Sequence, residues 1–434
     1  MLRSFLQYTR IVLLPLLAVG LVLTGCDSTG SNGGNDGGGD GTSLTTQTAR
    51  NLLTADIKSQ TDGLAKDEAS EVSEDELLTR YNGDTDGVPI LIADRVGSPA
   101  QNAYSGTTLE SAVSTDALTG SAALEQGVDS PNSGPVTADE LIRFYLGEVA
   151  SKSSGDDLGS FDVYTTANQV DMSQLVNKLL LGALEYKEGA SALNSITGTT
   201  DSDQDRLVTA AEHFGAPDDF EAFLDYANGD EGLAGGALGR DVNDDGQVDF
   251  NTEFVHTWAG YAAERSALAE NNGNPNDFAR TFKSAIDEIR TAIENDDSSV
   301  DVAAKASTAL EAWEKVVAVN VIHYVNSMKS DLEEAGLGLD EEVTVETLSN
   351  AGVRGDYNEH WGEGKPFAWA LQFNAQRNPN VDLQTLHEDL GAAPPYTSTR
   401  EGTVTRQDVI DAVEAVKNQL ETAYGFNSSN VDAW

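Results

Sequence analysis

Apolar residues recur at three- and four-residue intervals over long stretches of the chain from Thr137 onward. This spacing places them on one face of an α-helix. The stretch "TADELIRFYLGEVAS" also opens with a capping residue and an acidic first turn, as the start of a helix does. The longest run carries a single apolar stripe, formed by Leu310, Trp313, Val317, Val321, Tyr324 and Met328. We therefore predict helices from Thr137 and over 171–194, 206–214, 218–228, 251–271, 277–295, 300–334, 357–377 and 405–424.

Alternation of apolar and polar residues, which would predict half-buried strands, is nowhere comparably strong in the sequence. The sequence thus predicts an all-α fold, a bundle of long helices joined by loops, over residues 136–434. Residues 44–135 are weakly periodic and rich in Ser, Thr, Asp and Gly. We expect them to form a loop-rich N-terminal segment, with one short helix near 66–80, that wraps the core.

The first 26 residues have the pattern of an export signal. Arg3 and Arg10 precede the apolar stretch "IVLLPLLAVGLVL", which is too short for a stable membrane span. "LTGC", at 23–26, resembles the lipobox of bacterial lipoproteins, and Cys26 is the only cysteine in the sequence. We expect Cys26 to be lipidated and the Gly-, Asp- and Ser-rich residues 27–43 to form a flexible tether. The alternative is a simple secretory peptide with a chance cysteine.

The sequence is strongly acidic, with 26 Lys and Arg against 72 Asp and Glu and a net charge of −46. Such a charge excludes nucleic acid and anionic lipid headgroups as favoured partners, because phosphate binding needs Lys and Arg. The acidic residues are spread evenly, which favours adaptation to a salty habitat over a surface that collects cations. We expect the membrane to be contacted only through the lipid anchor.

Two acidic stretches follow the spacing of a helix-loop-helix calcium loop, whose ligands stand at positions 1, 3, 5, 7, 9 and 12. In the first, 201–212, the fitting positions are Asp201, Asp203, Asp205, Leu207, Thr209 and Glu212. Arg206 stands where such loops need Gly for a left-handed turn. Because Asp and Ser also cap ordinary helices, the alternative is the capped start of a helix.

The second stretch, 241–253, is the more specific match to a calcium loop. It has Gly246 at the turn and Val248 at the apolar position, while its closing acid stands one residue late. The expected ligands are Asp241, Asn243, Asp245, Gln247, Asp249 and Glu253. We predict a structural calcium ion here that orders the loop between two helices.

The sequence contains five histidines, and His360 differs from the others by its neighbours. His360 and Glu363 are three residues apart, so they share one helix face and can hold a metal or a proton together. The alternative is that Glu363 pairs with Lys365 or only orients His360. The sequence contains no H-E-x-x-H, no G-x-S-x-G and no phosphate-binding Gly loop that would identify an enzyme.

Five ordered blocks of the sequence resemble a family of uncharacterised Bacteroidota lipoproteins that is distantly related to imelysin-like proteins. The resemblance spans roughly 135–425, and its blocks lie at 174–186, 212–220, 241–254, 313–326 and 360–374. "NEHWGE" is similar to the G-x-H-x-x-E element of imelysins, with Asn358 in place of Gly. Imelysins are all-helical proteins of two bundle-like lobes, found in the periplasm or on the cell surface and linked to iron uptake.

The resemblance therefore implies location and fold, whereas it assigns no reaction. It makes His360 and Glu363 the candidate ligands of iron or zinc, with Glu212 and His213 as candidate partners. The leading hypothesis is a lipid-anchored envelope protein that binds a metal, or a metal-bearing ligand, for an uptake system. The alternatives are a metal-dependent hydrolase that uses Glu363 as general base, and a calcium-stabilised structural or interaction lipoprotein.

Overall fold

A computed structural model describes residues 46–66, 69–83, 107–216 and 257–434 of the chain. Within these ranges helices dominate and only isolated β-bridges occur, which confirms the predicted all-α class. The helices are α1 (Thr46–Gly63), α2 (Glu74–Asn82), α3 (Ala138–Ser153), α4 (Met172–Leu180), a π-helical turn (Leu181–Tyr186), α5 (Lys187–Asn194), α6 (Asp201–Phe214), α7 (Thr257–Asn271), α8 (Phe278–Glu294), α9 (Val302–Glu334), α10 (Val345–Ala351), α11 (Arg354–Ala370), α12 (Leu383–Leu390), α13 (Arg406–Tyr424) and α14 (Ser428–Ala433). Short 3-10 turns lie at Ser121–Ala123, Phe161–Tyr164 and Leu371–Phe373.

The long helices lie close to their predicted bounds, and the helices that were not predicted are α1 and three short ones. The short helix expected near 66–80 is α2, and the helix predicted over 357–377 ends at Ala370. Helices α1, α10, α12 and α14 were not predicted. In α1 several residues of the buried face are polar, so the apolar period is interrupted; they are Asn51, Thr54, Asp56 and Thr61. The helix predicted over 218–228 lies outside the described residues.

Helix α9 lies at the centre of the core and packs against α8, α11, α13, α5 and α7. Its Trp313 is fully buried and contacts a group of aromatic rings. The ring centroids of Tyr186, Phe214 and Phe282 lie 5.4, 5.1 and 5.6 Å from that of Trp313. A Cβ at Gly189 would lie 2.3 Å from the Trp313 ring, so only glycine allows this approach of α5 to α9.

The helix over 172–194 is continuous but changes its hydrogen-bonding pattern in the middle. All six residues of the turn Leu181–Tyr186 are buried, including the carboxyl group of Glu185. π-helical turns usually occur as single bulges inside α-helices and are frequent near functional sites. Here the turn packs on the end of α11, where a Cβ at Gly182 would lie 2.7 Å from the Cβ of Ala370.

The described part of the N-terminal segment shares its core with the rest of the chain. Leu52, Leu53 and Leu77 of α1 and α2 belong to the same apolar cluster as α4 and α9. Two polar contacts tie α1 to the bundle: Asn51 Nδ2 donates to the Glu212 carbonyl at 3.0 Å, and the Thr61 and Ser173 hydroxyls lie 2.7 Å apart. Within the described ranges, no helix is both long and apolar enough to cross a membrane.

Candidate functional site

The first of the two acidic stretches is helical rather than a loop. Residues 201–214 form α6, and the Thr200 side chain caps it by accepting from the Asp203 backbone N–H. The Asp203 carboxylate in turn accepts from Thr200 and lies 3.0 Å from Arg206 Nη1. In a helix, residues two apart point in different directions, so Asp201, Asp203 and Asp205 do not converge on one ion. The predicted loop conformation is wrong, and the capped helix start is what the structure shows.

Several other sequence predictions lie outside the described residues. The calcium loop at 241–253, with its ligands from Asp241 to Glu253, is one of them, and His256 is another. The export signal, Cys26 and the tether at 27–43 are also outside. These stay predictions.

His360 and Glu363 both lie on α11, but each has a different partner. His360 Nδ1 lies 2.7 Å from Asp331 Oδ2 of α9. Glu363 Oε1 lies 3.0 Å from Lys178 Nζ of α4. The expected alternative partner of Glu363, Lys365, instead donates to the His387 carbonyl at 3.3 Å. His360 and Glu363 therefore share a helix face, and the alternative pairing of Glu363 with Lys365 is wrong, because Glu363 pairs with Lys178.

Glu212 and His213 belong to α6 and lie near a different part of the central helix α9 from His360. His213 is buried, with its Cβ 3.6 Å from the position of a Cβ on Gly189, beside Trp313. His360, by contrast, contacts Asp331, and the separation of Trp313 from Asp331 along α9 amounts to about 27 Å at 1.5 Å per residue. Glu212 and His213 therefore do not form a second wall of the His360 site.

Around His360 and Glu363 the structure gathers ionisable side chains from four helices. We call this set the polar cluster: Lys178 (α4), Tyr261 and Arg265 (α7), Tyr324 and Asp331 (α9), and Glu359, His360 and Glu363 (α11). Lys178 Nζ lies 5.5 Å from the Tyr261 ring centroid, and the Tyr324 and His360 ring centroids are 6.3 Å apart. Arg265 is held from behind by Asn320, whose Oδ1 accepts from its Nε at 3.0 Å.

Burial and neighbouring charges shift the pKa values of this cluster. Burial alone would lower the pKa of Lys178, but Tyr261 and Glu363 beside it raise it above its ordinary value. Burial would also lower the pKa of His360, and the hydrogen bond and charge of Asp331 more than offset this, so the pKa is raised. Burial raises the pKa of Asp331. His360 therefore keeps its proton to a higher pH than an isolated histidine does.

Glu359 is a member of the cluster that sequence reasoning missed. Burial, followed by the charge of Glu363, raises its pKa to about 7. Its Oε1 accepts from Gln174 Nε2 of α4. Glu359 and Glu363 are four residues apart and therefore share a helix face, and this spacing was the available signal. The partners Lys178 and Asp331 gave no such signal, because they reach the site from other helices.

The arrangement orients His360 for ligand binding but offers few protein ligands. Asp331 fixes the ring through Nδ1, and Nε2 has no hydrogen-bond partner among the described residues, as in a metal-binding histidine held by a carboxylate. The side chain of His360 is 26% exposed, against 10% for Asp331. Glu363 is engaged by Lys178 and Glu359 by Gln174, so Nε2 of His360 is the available donor of this site. In the described part of the chain no group of three His, Cys, Asp or Glu could hold a metal ion.

The donor set therefore does not fit a bare iron or zinc ion held by the protein alone. It also does not fit the hydrolase hypothesis well, because a general base must be free to accept a proton from water. The Glu363 carboxylate faces the ammonium group of Lys178 instead. What the site can do is offer one imidazole nitrogen to a ligand that brings further donors.

No family model, no curated protein and no solved structure matches the chain.

Proposed function

We propose that this protein is a lipid-anchored binding protein of the cell envelope, with an imelysin-like bundle, that takes up a metal-bearing small ligand at the polar cluster. The observation that carries the proposal is the His360–Asp331 pair. Asp331 holds the ring through Nδ1 at 2.7 Å, while Nε2 remains available and the side chain is partly exposed. Histidine nitrogens held in this way are common metal ligands.

The small number of protein donors is the reason for proposing a metal complex rather than a bare ion. Zinc and iron sites built from protein alone need three or four ligands. A complex that carries its own oxygen ligands needs only one or two more from the protein, and His360 supplies one through Nε2. The buried cations of the cluster are already paired, Lys178 with Glu363 at 3.0 Å and Arg265 with Glu264 at 3.7 Å.

The proposal is tested by equilibrium dialysis of the mature chain against ferric citrate and, separately, against zinc chloride. We expect ferric citrate to bind and His360→Ala to weaken its binding at least tenfold. Asp331→Asn should weaken binding less, because the ring loses its charged partner but keeps its donor nitrogen. Asp340→Asn, an exposed carboxylate change, is the matched control and should bind like the wild type.

Two results would contradict the proposal. Equal binding of ferric citrate by the wild type and His360→Ala would remove the polar cluster as the site. Tight binding of zinc alone would show a complete protein ligand set and would replace the metal complex by a bare ion. The lipid anchor is tested separately by mass spectrometry of the membrane fraction. We expect it to find an acylated Cys26 as the first residue.

A further inference from the structure

A second histidine, His323 of α9, lies beside the polar cluster. Its ring centroid is 5.0 Å from that of Tyr324, and the Tyr324 ring centroid is 6.3 Å from that of His360. The two imidazoles, one from α9 and one from α11, therefore adjoin the same tyrosine ring and lie no further apart than these two distances together. The side chain of His323 is partly exposed, as that of His360 is. Both imidazoles are thus within reach of one small ligand.

The hydrogen bond of His323 fixes which of its ring nitrogens carries the proton. Its Nδ1 lies 3.1 Å from the main-chain oxygen of Trp434. This oxygen can only accept, so Nδ1 is the nitrogen that donates, and Nε2 of the neutral ring carries the lone pair. In the part of the chain that the structure describes, Nε2 has no hydrogen-bond partner. His323 therefore offers a free imidazole nitrogen on a ring that is held through the other nitrogen, as in metal-binding histidines.

The surroundings of His323 favour its neutral form and leave it open to solvent. Burial, followed by the charge of Arg265, lowers its pKa well below the ordinary value. Two other described histidines, His213 and His387, have both ring nitrogens buried. No ligand reaches those nitrogens without a structural change. Among the described histidines, His323 and His360 are therefore the two that an external ligand can contact.

We propose that His323 is the second protein ligand of the metal-bearing small molecule, so that its metal binds Nε2 of both His323 and His360. The inference rests on the proposed function and adds to it the identity of the second donor. Each lone pair replaces one water on the metal, and His323 has no proton on Nε2 to lose. Two imidazoles leave the remaining positions of the metal to the ligand's own oxygens. The expected ligand class is thus an oxygen-donor complex of a transition metal with two exchangeable positions.

The number of bound imidazoles is measured by pulsed EPR, with cupric citrate as the probe, because Cu²⁺ is paramagnetic and binds imidazole well. The modulation from the remote ring nitrogens should show two bound imidazoles in the wild type and one in His360→Ala. His323→Asn should also show one. Its amide nitrogen can replace Nδ1 as the donor to Trp434, whereas Nε2 is removed. Asp340→Asn should keep both.

The outcomes of the EPR experiment separate the two proposals. One imidazole in the wild type that persists in His323→Asn and is lost in His360→Ala overturns the inference and leaves the proposed function standing. One imidazole that is lost in His323→Asn alone keeps His323 and contradicts the role of His360. An absence of bound imidazole in the wild type contradicts both.

Equilibrium dialysis against ferric citrate tests whether His323 acts as a ligand or only holds the neighbouring segment. We expect His323→Asn to weaken binding at least tenfold while its melting temperature equals that of the wild type. The matched control is Asn326→Ala on the same helix. It removes the hydrogen bond from Asn326 Nδ2 to the Val431 carbonyl, 2.8 Å long, and so loosens α14 without touching an imidazole. Equal weakening by Asn326→Ala, or wild-type binding by His323→Asn, overturns the inference.

Discussion

At the scale of single residues, the site depends on which neighbour each charged group meets. Glu363 of α11 contacts Lys178 of the neighbouring helix α4, although Lys365 is only two residues away along the chain. Residues two apart on a helix point in different directions, and Lys365 therefore faces the His387 carbonyl. Burial, followed by the charge of Arg400, lowers the pKa of Lys365 to about 7. The pKa of the same residue type is thus raised at position 178 and lowered at position 365.

The Lys178–Glu363 ion pair gives the first prediction. Glu363→Gln would leave Lys178 buried without a carboxylate, and breaking a buried pair in this way costs about 3–5 kcal/mol. Urea unfolding followed by circular dichroism measures the loss. Glu346→Gln on the exposed face of α10 serves as the control and should change stability by less than about 0.5 kcal/mol. A loss of under about 1 kcal/mol in Glu363→Gln would show that the pair is not desolvated.

The approach of Gly189 to Trp313 gives the second prediction. In Gly189→Ala the new methyl group would overlap the indole ring, and such overpacking costs about 1–3 kcal/mol. Gly63→Ala is the matched control, because a Cβ there meets no atom within 4 Å and α1 should gain up to about 1 kcal/mol. Melting temperatures of the two variants should therefore move in opposite directions. A melting temperature of Gly189→Ala equal to the wild type would contradict the packing.

At the scale of secondary-structure elements, apolar periodicity identified the long helices whose buried faces are apolar, and it missed the short helix α12, although α12 buries three leucines. The stripe from Leu310 to Met328 predicted α9 almost to its ends. It could not reveal α1, whose buried face includes Asn51 and Asp56 and is stabilised by contacts with distant helices. The residues of the site were likewise predictable from the sequence only in part. The face shared by His360 and Glu363 follows from spacing, whereas Asp331 and Lys178 become neighbours only when the helices pack.

The start of α6 gives a prediction that separates a cap from a calcium loop. Thr200→Ala removes the side chain that accepts from Asp203 N–H and should cost about 1 kcal/mol. Asp201→Ala should cost much less, because Asp201 is exposed in the first turn, although it would be the first ligand of a calcium loop. Thermal melts should show a larger loss for Thr200→Ala than for Asp201→Ala, both with and without chelator. A large, chelator-sensitive loss in Asp201→Ala would restore the calcium interpretation of 201–212.

For the second acidic stretch, 241–253, calcium stays a prediction. Chelation at fixed ionic strength should lower the melting temperature of the mature protein, because an ion that binds only the folded state stabilises it. Asp241→Ala should remove most of that shift, while Asp340→Asn should retain it. An unchanged melting temperature on chelation would refute the calcium loop.

At the scale of the whole molecule, the buried carboxyl groups predict how stability depends on pH. The pKa values of Asp171 and Glu359 are raised from 3.8 and 4.5 to about 8 and 7, so the folded state binds their protons more tightly than the unfolded state does. Burial likewise raises the pKa of Glu185. The stability that Asp171 and Glu359 contribute is therefore fully present below pH 4 and is lost as the pH rises through about 7 and 8.

Urea unfolding between pH 5 and 9 at constant salt measures this dependence. The wild type should lose stability steadily over that range, and Asp171→Asn should flatten the decline, because its side chain cannot ionise. Asp340→Asn should follow the wild type, since exposed carboxylates have little effect on the difference in proton binding between the two states. Parallel curves of stability against pH for the wild type and Asp171→Asn would contradict the raised pKa of Asp171.

The π-helical turn at Leu181–Tyr186 has a consequence for how this chain can change in length. A π-helical turn accommodates one residue more than the α-helix around it, so deleting a single residue there would let the turn relax to α geometry. The turn would then absorb the deletion, so α5 would keep its faces and Gly189 would stay opposite Trp313. A deletion inside the regular α-helix α9 would instead rotate every following residue by about 100°. We therefore expect a single-residue deletion to be tolerated better in this turn than in α9.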